Sequence, residues 1–251
     1  MRYPNLIFDL YGTLVDIHTD ENALVWEKTA LFFGYYGARY TPEGLCEAFR
    51  QAMRAREAAA GQSYECYPDI PVEGVMAELF RGKGITENAD ALGMQAAQLF
   101  RISATEYIRL YPGVREALTH LRQQGYRLYL LSNAQRAFTA FELRHLDMFG
   151  LFDAIYLSSD YGCRKPDLRF FRALLQDARL TPAHCLMIGN DRDTDIAGAK
   201  AAGMATLYLH TNITPPGQAE ADPAAFPGAA GTHWEYEGAD WEALSDLILK
   251  L

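Results

Sequence analysis

The sequence predicts an α/β fold in which a doubly wound parallel sheet carries an inserted helical domain. An apolar run at residues 5–10, bounded by Pro4 and Gly12, has the length and composition of a buried strand. Residues 18–109 then show helical periodicity, and helices alternate with strands from residue 114 onward. Because helices join consecutive parallel strands by right-handed crossovers, this alternation indicates a parallel sheet with helices on both faces.

Size, composition and charge limit the classes of protein that the sequence can encode. With 251 residues, 49% of them hydrophobic, the chain can form one large domain or a core domain with a smaller one. The 32 acidic and 23 basic side chains give a formal charge of -9, which repels polyanions and anionic membrane surfaces. No stretch approaches the ~20 apolar residues needed to span a bilayer. We therefore expect no nucleic-acid partner, no membrane partner and a cytoplasmic location. We also expect a monomer or homodimer.

The inserted segment is predicted to be helical throughout. Apolar residues recur on one helix face in four stretches, near residues 24–32, 45–53, 72–80 and 92–100. Thr41 followed by Pro42 predicts the start of the second helix, because the hydroxyl can cap it and proline loses no hydrogen bond there. No strand is predicted between residues 18 and 109. We expect residues 1–16 and 110–251 to form the α/β core and residues 17–109 to form the helical domain.

The second half of the chain is predicted to alternate between helices and strands. The predicted helices cover residues 114–124, 136–145, 167–178 and 195–202, and the predicted strands cover residues 126–131, 154–157, 185–188 and 206–209. The residues from 211 to 240 are rich in Pro, Gly and Ala and are predicted to form a long loop. A final helix is predicted at residues 241–249.

Polar residues follow the predicted strands at their carboxyl ends, where sheets of this type bind ligands. They are Asp9 after the first strand, Ser132 and Asn133 after the strand at 126–131, and Asn190 and Asp191 after the strand at 185–188. Lys165 lies in the loop that follows the strand at 154–157. We expect the functional site at this edge of the sheet.

Four segments at these positions resemble the motifs of the haloacid dehalogenase superfamily. They are FDLYGT around Asp9, LLSNA around Ser132, RKPD around Lys165, and GNDRDTDIAGAKAAGM after residue 188. The resemblance covers roughly residues 1–16 and 110–210. It implies a hydrolase with a Rossmann-like core, and it identifies the helical insert with the cap domain that the superfamily places between its first two motifs.

The resemblance implies that Asp9 is the nucleophile, whose carboxylate forms a covalent intermediate with a phosphoryl group or an alkyl carbon. Thr13 and Ser132, with Asn133 beside it, supply polar groups to an anion held at Asp9, and Lys165 supplies a cation. Considered alone, an aspartate here would be interpreted as a turn-capping residue, because aspartate is common in turns.

The resemblance also implies a Mg²⁺ site. Mg²⁺ prefers oxygen ligands and keeps several waters, so Asp9, the backbone carbonyl of Tyr11 and one further carboxylate would suffice. In the fourth motif, Asn190 stands where the superfamily usually has its first acid, Asp191 follows it, and Asp195 matches the later acid. We favour Asp191 as the further ligand, with Asn190 as the alternative.

Tyr11 leaves the type of reaction open. In phosphatases of the superfamily a second aspartate at this place protonates the leaving alcohol and then activates water. Tyrosine, with an ordinary pKa near ~10, replaces it poorly at neutral pH. The Asp-x-Tyr-Gly-Thr form is typical of the 2-haloacid dehalogenases, whose halide leaves without a proton and which use no metal. Their fourth motif reads Ser-x-Asn-x-x-Asp, however, and this chain has Asn190, Arg192 and Asp195 there, with the acid Asp191 beside them.

The sequence therefore predicts an aspartate-nucleophile hydrolase of a small anionic substrate, with a Mg²⁺-dependent phosphatase of a small phosphate ester as the favoured interpretation. The alternatives are a metal-free 2-haloacid dehalogenase and a catalytically weak binding module. In the predicted cap, Arg39 of the loop FGYYGARY is a candidate for binding a substrate carboxylate or phosphate as a bidentate fork. The alternative for Arg39 is a solvated surface residue.

Overall fold

The computed structural model describes residues 2–60, 67–215 and 232–251. Its strands are β1 (Asn5–Phe8), β2 (Val15–Thr19), β3 (Thr105–Leu110), β4 (Arg127–Ser132), β5 (Ala154–Leu157), β6 (Cys185–Gly189), β7 (Ala205–His210) and β8 (His233–Glu237). Six of them form one parallel sheet in the order β5-β4-β1-β6-β7-β8. The chain builds outward from β1 through β4 and β5, then crosses to β6 on the other side. This order confirms the predicted doubly wound α/β fold.

The helices cover both faces of this sheet and also form the inserted segment. They are α1 (Ala23–Tyr35), α2 (Pro42–Ala59), α3 (Val72–Arg81), α4 (Ala89–Ala104), α5 (Val114–Gln123), α6 (Arg136–His145), α7 (Ser158–Tyr161), α8 (Leu168–Asp177), α9 (Ala197–Ala201) and α10 (Trp241–Lys250). Apolar side chains of α5 and α10 pack in one buried cluster with the sheet, and those of α8 and α9 pack in another. None of the helices in the described ranges is long and apolar enough to cross a membrane.

Strand β1 lies at the centre of the sheet, which explains its continuous apolar sequence. Leu6 pairs with Leu128 of β4 on one side and with Leu186 of β6 on the other. All four residues of β1 are buried, because helices cover both faces and neighbouring strands cover both edges. Asp9, directly after β1, therefore lies in the interior of the molecule at the carboxyl edge of the sheet.

Strand β8 corrects the expectation of an unbroken loop from residue 211 to residue 240. Within the described part of that stretch, β8 pairs in parallel with β7, so that Leu207 lies opposite Trp234. Trp234 and Tyr236 alternate with polar residues and pack against the core, as expected for an edge strand with one buried face. This five-residue strand lies among Gly- and Ala-rich residues, and that composition concealed its alternation. The remaining residues of the predicted loop, 216–231, lie outside the described ranges.

Helices α1 to α4 pack around a separate apolar cluster. It contains Phe33, whose ring stacks on that of Phe80 at 3.9 Å between centroids. The predicted start of the second helix is confirmed, since Gly44 N donates a hydrogen bond to Thr41 Oγ1 (3.0 Å) and Pro42 is the first residue of α2. The division into a core of residues 1–16 and 110–251 and a cap of residues 17–109 stays a prediction.

The expectation of no strand between residues 18 and 109 is wrong at both ends of this range. Strands β2 and β3 pair antiparallel, with Ile17 opposite Ile108, and α1 to α4 lie between them in the chain. A two-stranded ribbon buries little of either strand, so most of β3 is partly or fully exposed and its sequence lacks a clear apolar alternation. The partners are also about 90 residues apart, a pairing that local patterns cannot reveal.

Candidate active site

Asp9 lies at the centre of a group of polar side chains. It follows the central strand, its backbone N–H donates to the carbonyl of Ile188 (3.0 Å), and the residue is 7% exposed. Its carboxylate accepts hydrogen bonds from Thr13 Oγ1 (3.2 Å) and Ser132 Oγ (3.4 Å). The structure thus brings together three predicted site residues that come from two neighbouring strands.

Gly12 gives the chain a tight turn after Asp9. Its φ of 87° lies in the left-handed region, and a Cβ there would lie 2.2 Å from Nδ2 of Asn190. The turn lets the Thr13 hydroxyl reach both Asp9 and Oδ1 of Asn190, the latter at 3.2 Å. Glycine at this position therefore permits the left-handed backbone conformation and lets Asn190 of the fourth motif lie against the turn.

Lys165 is a buried cation between two carboxylates. Its Nζ donates hydrogen bonds to Asp9 Oδ1 (2.7 Å), to Asp195 Oδ1 (2.6 Å) and to the carbonyl of Leu131 (2.8 Å). Burial alone would lower the pKa of Lys165, but the charges of Asp195 and Asp9 outweigh it and raise that pKa. The side chain therefore stays charged, and these three bonds use all three hydrogens of its ammonium group.

Asn133 holds the loop that carries Lys165. The backbone N–H of Lys165 donates to Asn133 Oδ1 (2.7 Å), and Asn133 Nδ2 donates to the carbonyl of Lys165 (3.0 Å). These two bonds use both ends of the Asn133 amide. The predicted site residue Asn133 thus lies at the site and fixes the backbone of Lys165.

Asp195 is the most deeply buried acid of the site. It is 1% exposed, and its Oδ2 accepts a hydrogen bond from the backbone N–H of Asp191 (3.1 Å). Burial raises the pKa of Asp195 to about 7, with Lys165 opposing that shift and Asp9 adding to it. A Cβ on Gly189 would lie 2.3 Å from the Asp195 carboxylate, so this glycine makes room for the acid.

Asn190 and Asp191, which together with Asp195 are the three candidate metal ligands in the fourth motif, lie in different surroundings. The Asn190 side chain is buried and bonds to Thr13, beside Asp9. Asp191 instead caps the π-helical turn Arg192–Ile196, since its Oδ1 accepts from the backbone N–H groups of Asp193 (2.9 Å) and Thr194 (3.2 Å). The predicted helix start at residue 195 thus falls within this turn, and the α-helix begins at Ala197. The Asn190 side chain contacts the Thr13 hydroxyl.

Oxygen atoms are the donors that the site offers to a metal. In the described ranges, no group of three or more His, Cys, Asp or Glu side chains is arranged to hold an ion. The carboxylates of Asp9 and Asp191, the amide oxygen of Asn190 and the backbone carbonyl of Tyr11 have the chemistry that Mg²⁺ prefers. The donor type therefore fits Mg²⁺, although uncharged groups at positions 11 and 190 leave less negative charge than the superfamily pattern provides.

The side chain of Tyr11 extends toward α6 and is not directed at Asp9. Its hydroxyl donates a hydrogen bond to Glu142 and lies 2.9 Å from Thr139 Oγ1. Burial, with a further contribution from the charge of Glu142, raises the pKa of Tyr11 far above its usual range. The hydroxyl stays protonated and is bound to α6, so it is not placed to protonate a leaving group.

A small polar pocket of about 200 Å³ opens over Asp9. It is lined by Asp9, Tyr11, Ser132, Asn133, Lys165, Asn190, Asp191, Thr194, Asp195, Ile213 and Pro215. Sequence reasoning missed Ile213 and Pro215, whose only signal was that they follow the carboxyl end of β7. Their loop is held to the first motif because Thr211 Oγ1 donates to the carbonyl of Gly12 (2.7 Å).

Arg39 is not among the residues that line this pocket. It is exposed on the loop between α1 and α2. The start of α1 lies near the β2–β3 ribbon, since the N–H of Asp20 donates to the carbonyl of Ala104 (2.8 Å). The 13 residues of α1 extend about 20 Å from there, and Arg39 follows its far end. The structure thus does not bring Arg39 to the other predicted site residues.

Sequence comparisons match this chain to a family of hydrolases. The profile of the haloacid dehalogenase-like hydrolases matches residues 3–203. A phosphoglycolate phosphatase from Pseudomonas putida is 35% identical over 216 residues, which cover 82% of this chain and 69% of that protein. A 5'-nucleotidase from Pseudomonas aeruginosa is 28% identical over 216 residues and 82% of each chain. A glyceraldehyde 3-phosphate phosphatase from Methanothermobacter thermautotrophicus is 29% identical over 140 residues, so this chain spans 56% of that relative's length.

Solved structures share the architecture at low sequence identity. A 2-haloacid dehalogenase from Pseudomonas syringae pv. Tomato DC3000 superposes with a TM-score of 0.65 over 99% of both chains at 19% identity. The HAD-hydrolase YfnB from Bacillus subtilis, bound to magnesium, gives a TM-score of 0.55 over 99% of both chains at 22% identity. At these identities the likeness concerns the fold. The family match over residues 3–203 shows that this chain is an enzyme of the haloacid dehalogenase-like hydrolase family.

Proposed function

We propose that this hydrolase cleaves a small phosphate monoester, with the carboxylate of Asp9 as the nucleophile. The observation that carries the proposal is the buried cation Lys165, 2.7 Å from Asp9, in a pocket of about 200 Å³ with mainly polar walls. Such a pocket suits a phosphoryl group, whose transfer depends on charge stabilisation and positioning. The phosphatase names of the P. putida and M. thermautotrophicus relatives support this choice.

The reaction would proceed in two steps. An oxygen of Asp9 attacks phosphorus, the P–O bond to the alcohol breaks, and the alkoxide leaves with the bonding electrons. A water molecule then attacks phosphorus of the aspartyl phosphate, the P–O bond to Asp9 breaks with its electrons on the carboxylate, and the hydrogens of the water leave with the phosphate or pass to solvent. Lys165, Thr13 and Ser132 would bind the phosphoryl oxygens or orient Asp9 during both steps, because charge is spread over these oxygens in the transition state.

The absence of an acid at position 11 predicts which esters are good substrates. Because the Tyr11 hydroxyl is bound to Glu142, the leaving oxygen must take its proton from water or leave as the anion. General acid catalysis commonly contributes ~10²–10⁴-fold, and most when the leaving group is a poor one. We therefore expect hydrolysis of aryl or acyl phosphates to be much faster than hydrolysis of alkyl phosphates.

Mg²⁺ would be held by the Asp9 carboxylate, the Tyr11 backbone carbonyl, and Asn190 or Asp191. When bound, the ion would neutralise part of the charge on the phosphoryl group. The uncharged amide at position 190 predicts weaker metal binding than a carboxylate would give there, because a full negative charge is missing beside Asp9.

A metal-free 2-haloacid dehalogenase is the second candidate, and the side chains of Tyr11 and Asn190 favour it. Neither carries a charge, and a halide leaves without a proton, so the missing acid would cost this reaction nothing. The distinguishing experiment measures phosphate from a panel of aryl and alkyl phosphates, and chloride from 2-chloropropionate, with Mg²⁺ and with EDTA. Chloride release that EDTA leaves unchanged contradicts the phosphatase proposal. If neither class of substrate yields a product, a catalytically weak binding module is favoured.

A further inference from the structure

Arg101 of the inserted helix α4 is joined to Glu142 of the core helix α6. Its Nε donates to Glu142 Oε1 (2.7 Å) and its second nitrogen, Nη2, donates to Oε2 (3.2 Å). The two side chains are 17% and 14% exposed, so the pair is shielded from much of the solvent. A forked pair of this kind has a defined geometry, which exposed ion pairs generally lack.

Glu142 connects this pair to the loop of the nucleophile. Its Oε2 accepts the hydroxyl of Tyr11 as well as the guanidinium of Arg101. The guanidinium carbon of Arg101 also lies 5.2 Å from the centre of the Tyr11 ring and 4.7 Å from that of Phe138. Arg101 thus touches the first motif twice, once through Glu142 and once directly over the ring.

Tyr11 is two residues from Asp9, within the turn that places the Thr13 hydroxyl. That turn is held by short-range hydrogen bonds, from Gly12 N to the carbonyl of Val15 (2.8 Å) and from Leu14 N to the carbonyl of Leu10 (2.9 Å). Fixing the Tyr11 side chain on α6 fixes the direction in which this turn leaves β1. A displacement of Tyr11 would therefore move the backbone on which Asp9 and Thr13 are aligned.

We propose that Arg101 is a positioning residue for the nucleophile loop, acting through Glu142 and the hydroxyl of Tyr11. Docking of α4 on α6 thereby becomes a condition for the alignment of Asp9. A second contact between the same helices, from Gln98 Nε2 to the carbonyl of Ala137 (2.9 Å), keeps Arg101 over Glu142. Only the kinetic part of the test rests on the proposed phosphatase function.

The test compares Arg101→Met with a control ion pair inside the insert. Arg56 pairs with Glu78 at 2.6 Å between α2 and α3, so Arg56→Met removes a similar pair that does not involve α6. Hydrogen–deuterium exchange is measured on the peptide that covers residues 9–16, together with the melting temperature. We expect faster exchange of this peptide in Arg101→Met and in Tyr11→Phe, and unchanged exchange in Arg56→Met.

The kinetic part uses p-nitrophenyl phosphate as the substrate. Arg101→Met should lower kcat by ~10-fold or more while KM changes little, because a misplacement of about 1 Å can cost ~10²-fold. If Arg101 acts through the Tyr11 hydroxyl, adding Tyr11→Phe to Arg101→Met should lower kcat no further. Arg101→Lys, which keeps the charge without the planar fork, replaces Arg101→Met if that variant does not fold.

Two results would overturn the proposal. One is unchanged exchange of residues 9–16 in a folded Arg101 variant, which would mean that the Arg101–Glu142 pair stabilises the fold without positioning the nucleophile loop. The other is that the effects of Arg101→Met and Tyr11→Phe on kcat multiply, which means that they act independently. A wild-type protein that releases no nitrophenol contradicts the phosphatase proposal and leaves the exchange measurement as the test of positioning.

Discussion

The ammonium nitrogen of Lys165 lies 2.7 Å from Oδ1 of Asp9, in a region where the Lys165 side chain is 1% exposed. The same nitrogen lies 2.6 Å from Asp195, so one buried cation balances two carboxylates. Removing the cation leaves two carboxylates without a partner in a medium that solvates them poorly. The stability of the fold and the charge of the site therefore both depend on Lys165.

Lys165→Met should lower the free energy of unfolding by ~3–5 kcal/mol, because Asp9 and Asp195 then lie buried together without a cation. Urea denaturation at pH 8 measures the loss. Adding Asp195→Asn to Lys165→Met removes one of the unpaired charges and should restore part of the stability. A Lys165→Met protein as stable as the wild type would contradict this account of the charge balance.

Asp9→Asn should abolish turnover while the melting temperature changes little, because the amide keeps the shape of the carboxyl group and Lys165 keeps Asp195 as its partner. The assay is release of phosphate from p-nitrophenyl phosphate. Asp193→Asn is the matched control, since the Asp193 side chain is 68% exposed and has no proposed role. Activity that survives in Asp9→Asn would rule out covalent catalysis by this residue.

The sequence could predict the parts of the site that depend on strand ends. Asp9 and Asn190 each follow a buried strand, Ser132 is the last residue of another, and parallel strands bring their carboxyl ends to one edge. Lys165 was predicted from its motif, and its role as the cation between Asp9 and Asp195 requires the loop geometry that Asn133 fixes. Local patterns therefore located these side chains without giving their partners.

The environment of Tyr11 could not be predicted, because it depends on helices far away in the chain. Glu142 and Arg101 are ordinary charged residues in amphipathic helices, where such residues usually face solvent. The β2–β3 ribbon was missed for a similar reason, since its pairing joins residues separated by the whole insert. Contacts between distant segments carry no local periodicity, so the sequence alone could not show that Tyr11 is bound to α6.

Asn190→Asp should tighten Mg²⁺ binding, since it adds a carboxylate beside Asp9 at a position now occupied by an amide. At an effective dielectric constant of ~20, two unit charges ~4 Å apart interact by several kcal/mol, so the Mg²⁺ concentration for half-maximal activity should fall at least ~10-fold. Asp191→Asn is the comparison, because Asp191 caps the π-helical turn. A stronger loss of Mg²⁺ dependence in Asp191→Asn than in Asp193→Asn would identify Asp191 as the ligand.

Asp69 joins the segment before α3 to Gln135, directly before α6, and to Ser158 of α7 by hydrogen bonds of its carboxylate. Its carboxylate accepts hydrogen bonds from Ser158 Oγ and from Gln135 Nε2, the latter at 2.8 Å. Burial raises the pKa of Asp69, although the hydrogen bond from Ser158 and the charge of Arg164 oppose the shift. The folded protein therefore binds a proton at Asp69 more tightly than the unfolded chain does.

Asp69→Asn should change how stability depends on pH. A carboxyl group with a raised pKa in the folded state contributes stability that is full below its unfolded pKa of ~4 and is lost as pH rises through the folded pKa. The wild type should therefore lose stability relative to Asp69→Asn as pH rises above ~4, as measured by urea midpoints over a pH series. A constant difference between the two proteins over this range would show that Asp69 has no shifted titration.

Tyr11→Asp tests whether the missing acid limits the reaction. In a phosphatase, the new carboxyl group can protonate the leaving oxygen, so the gain should be large for alkyl phosphates and small for aryl phosphates. The substitution also removes the hydrogen bond to Glu142, and that loss should slow both classes of ester alike. The ratio of alkyl to aryl hydrolysis therefore isolates the effect of the acid.

Tyr11→Asn is the matched control, because it loses the same hydrogen bond and has nearly the shape of aspartate without the acid. For the phosphatase we expect the alkyl-to-aryl ratio to be at least ~10-fold higher in Tyr11→Asp than in Tyr11→Asn, measured by phosphate release with Mg²⁺ present. In a dehalogenase the same change adds a negative charge beside Asp9, repels an anionic haloacid, and should reduce chloride release from 2-chloropropionate. Tyr11→Asp is thus expected to favour the release of phosphate from alkyl esters in a phosphatase and to reduce the release of chloride in a dehalogenase. Equal ratios in folded Tyr11→Asp and Tyr11→Asn proteins would show that an acid at position 11 does not assist the leaving group, which contradicts the phosphatase proposal.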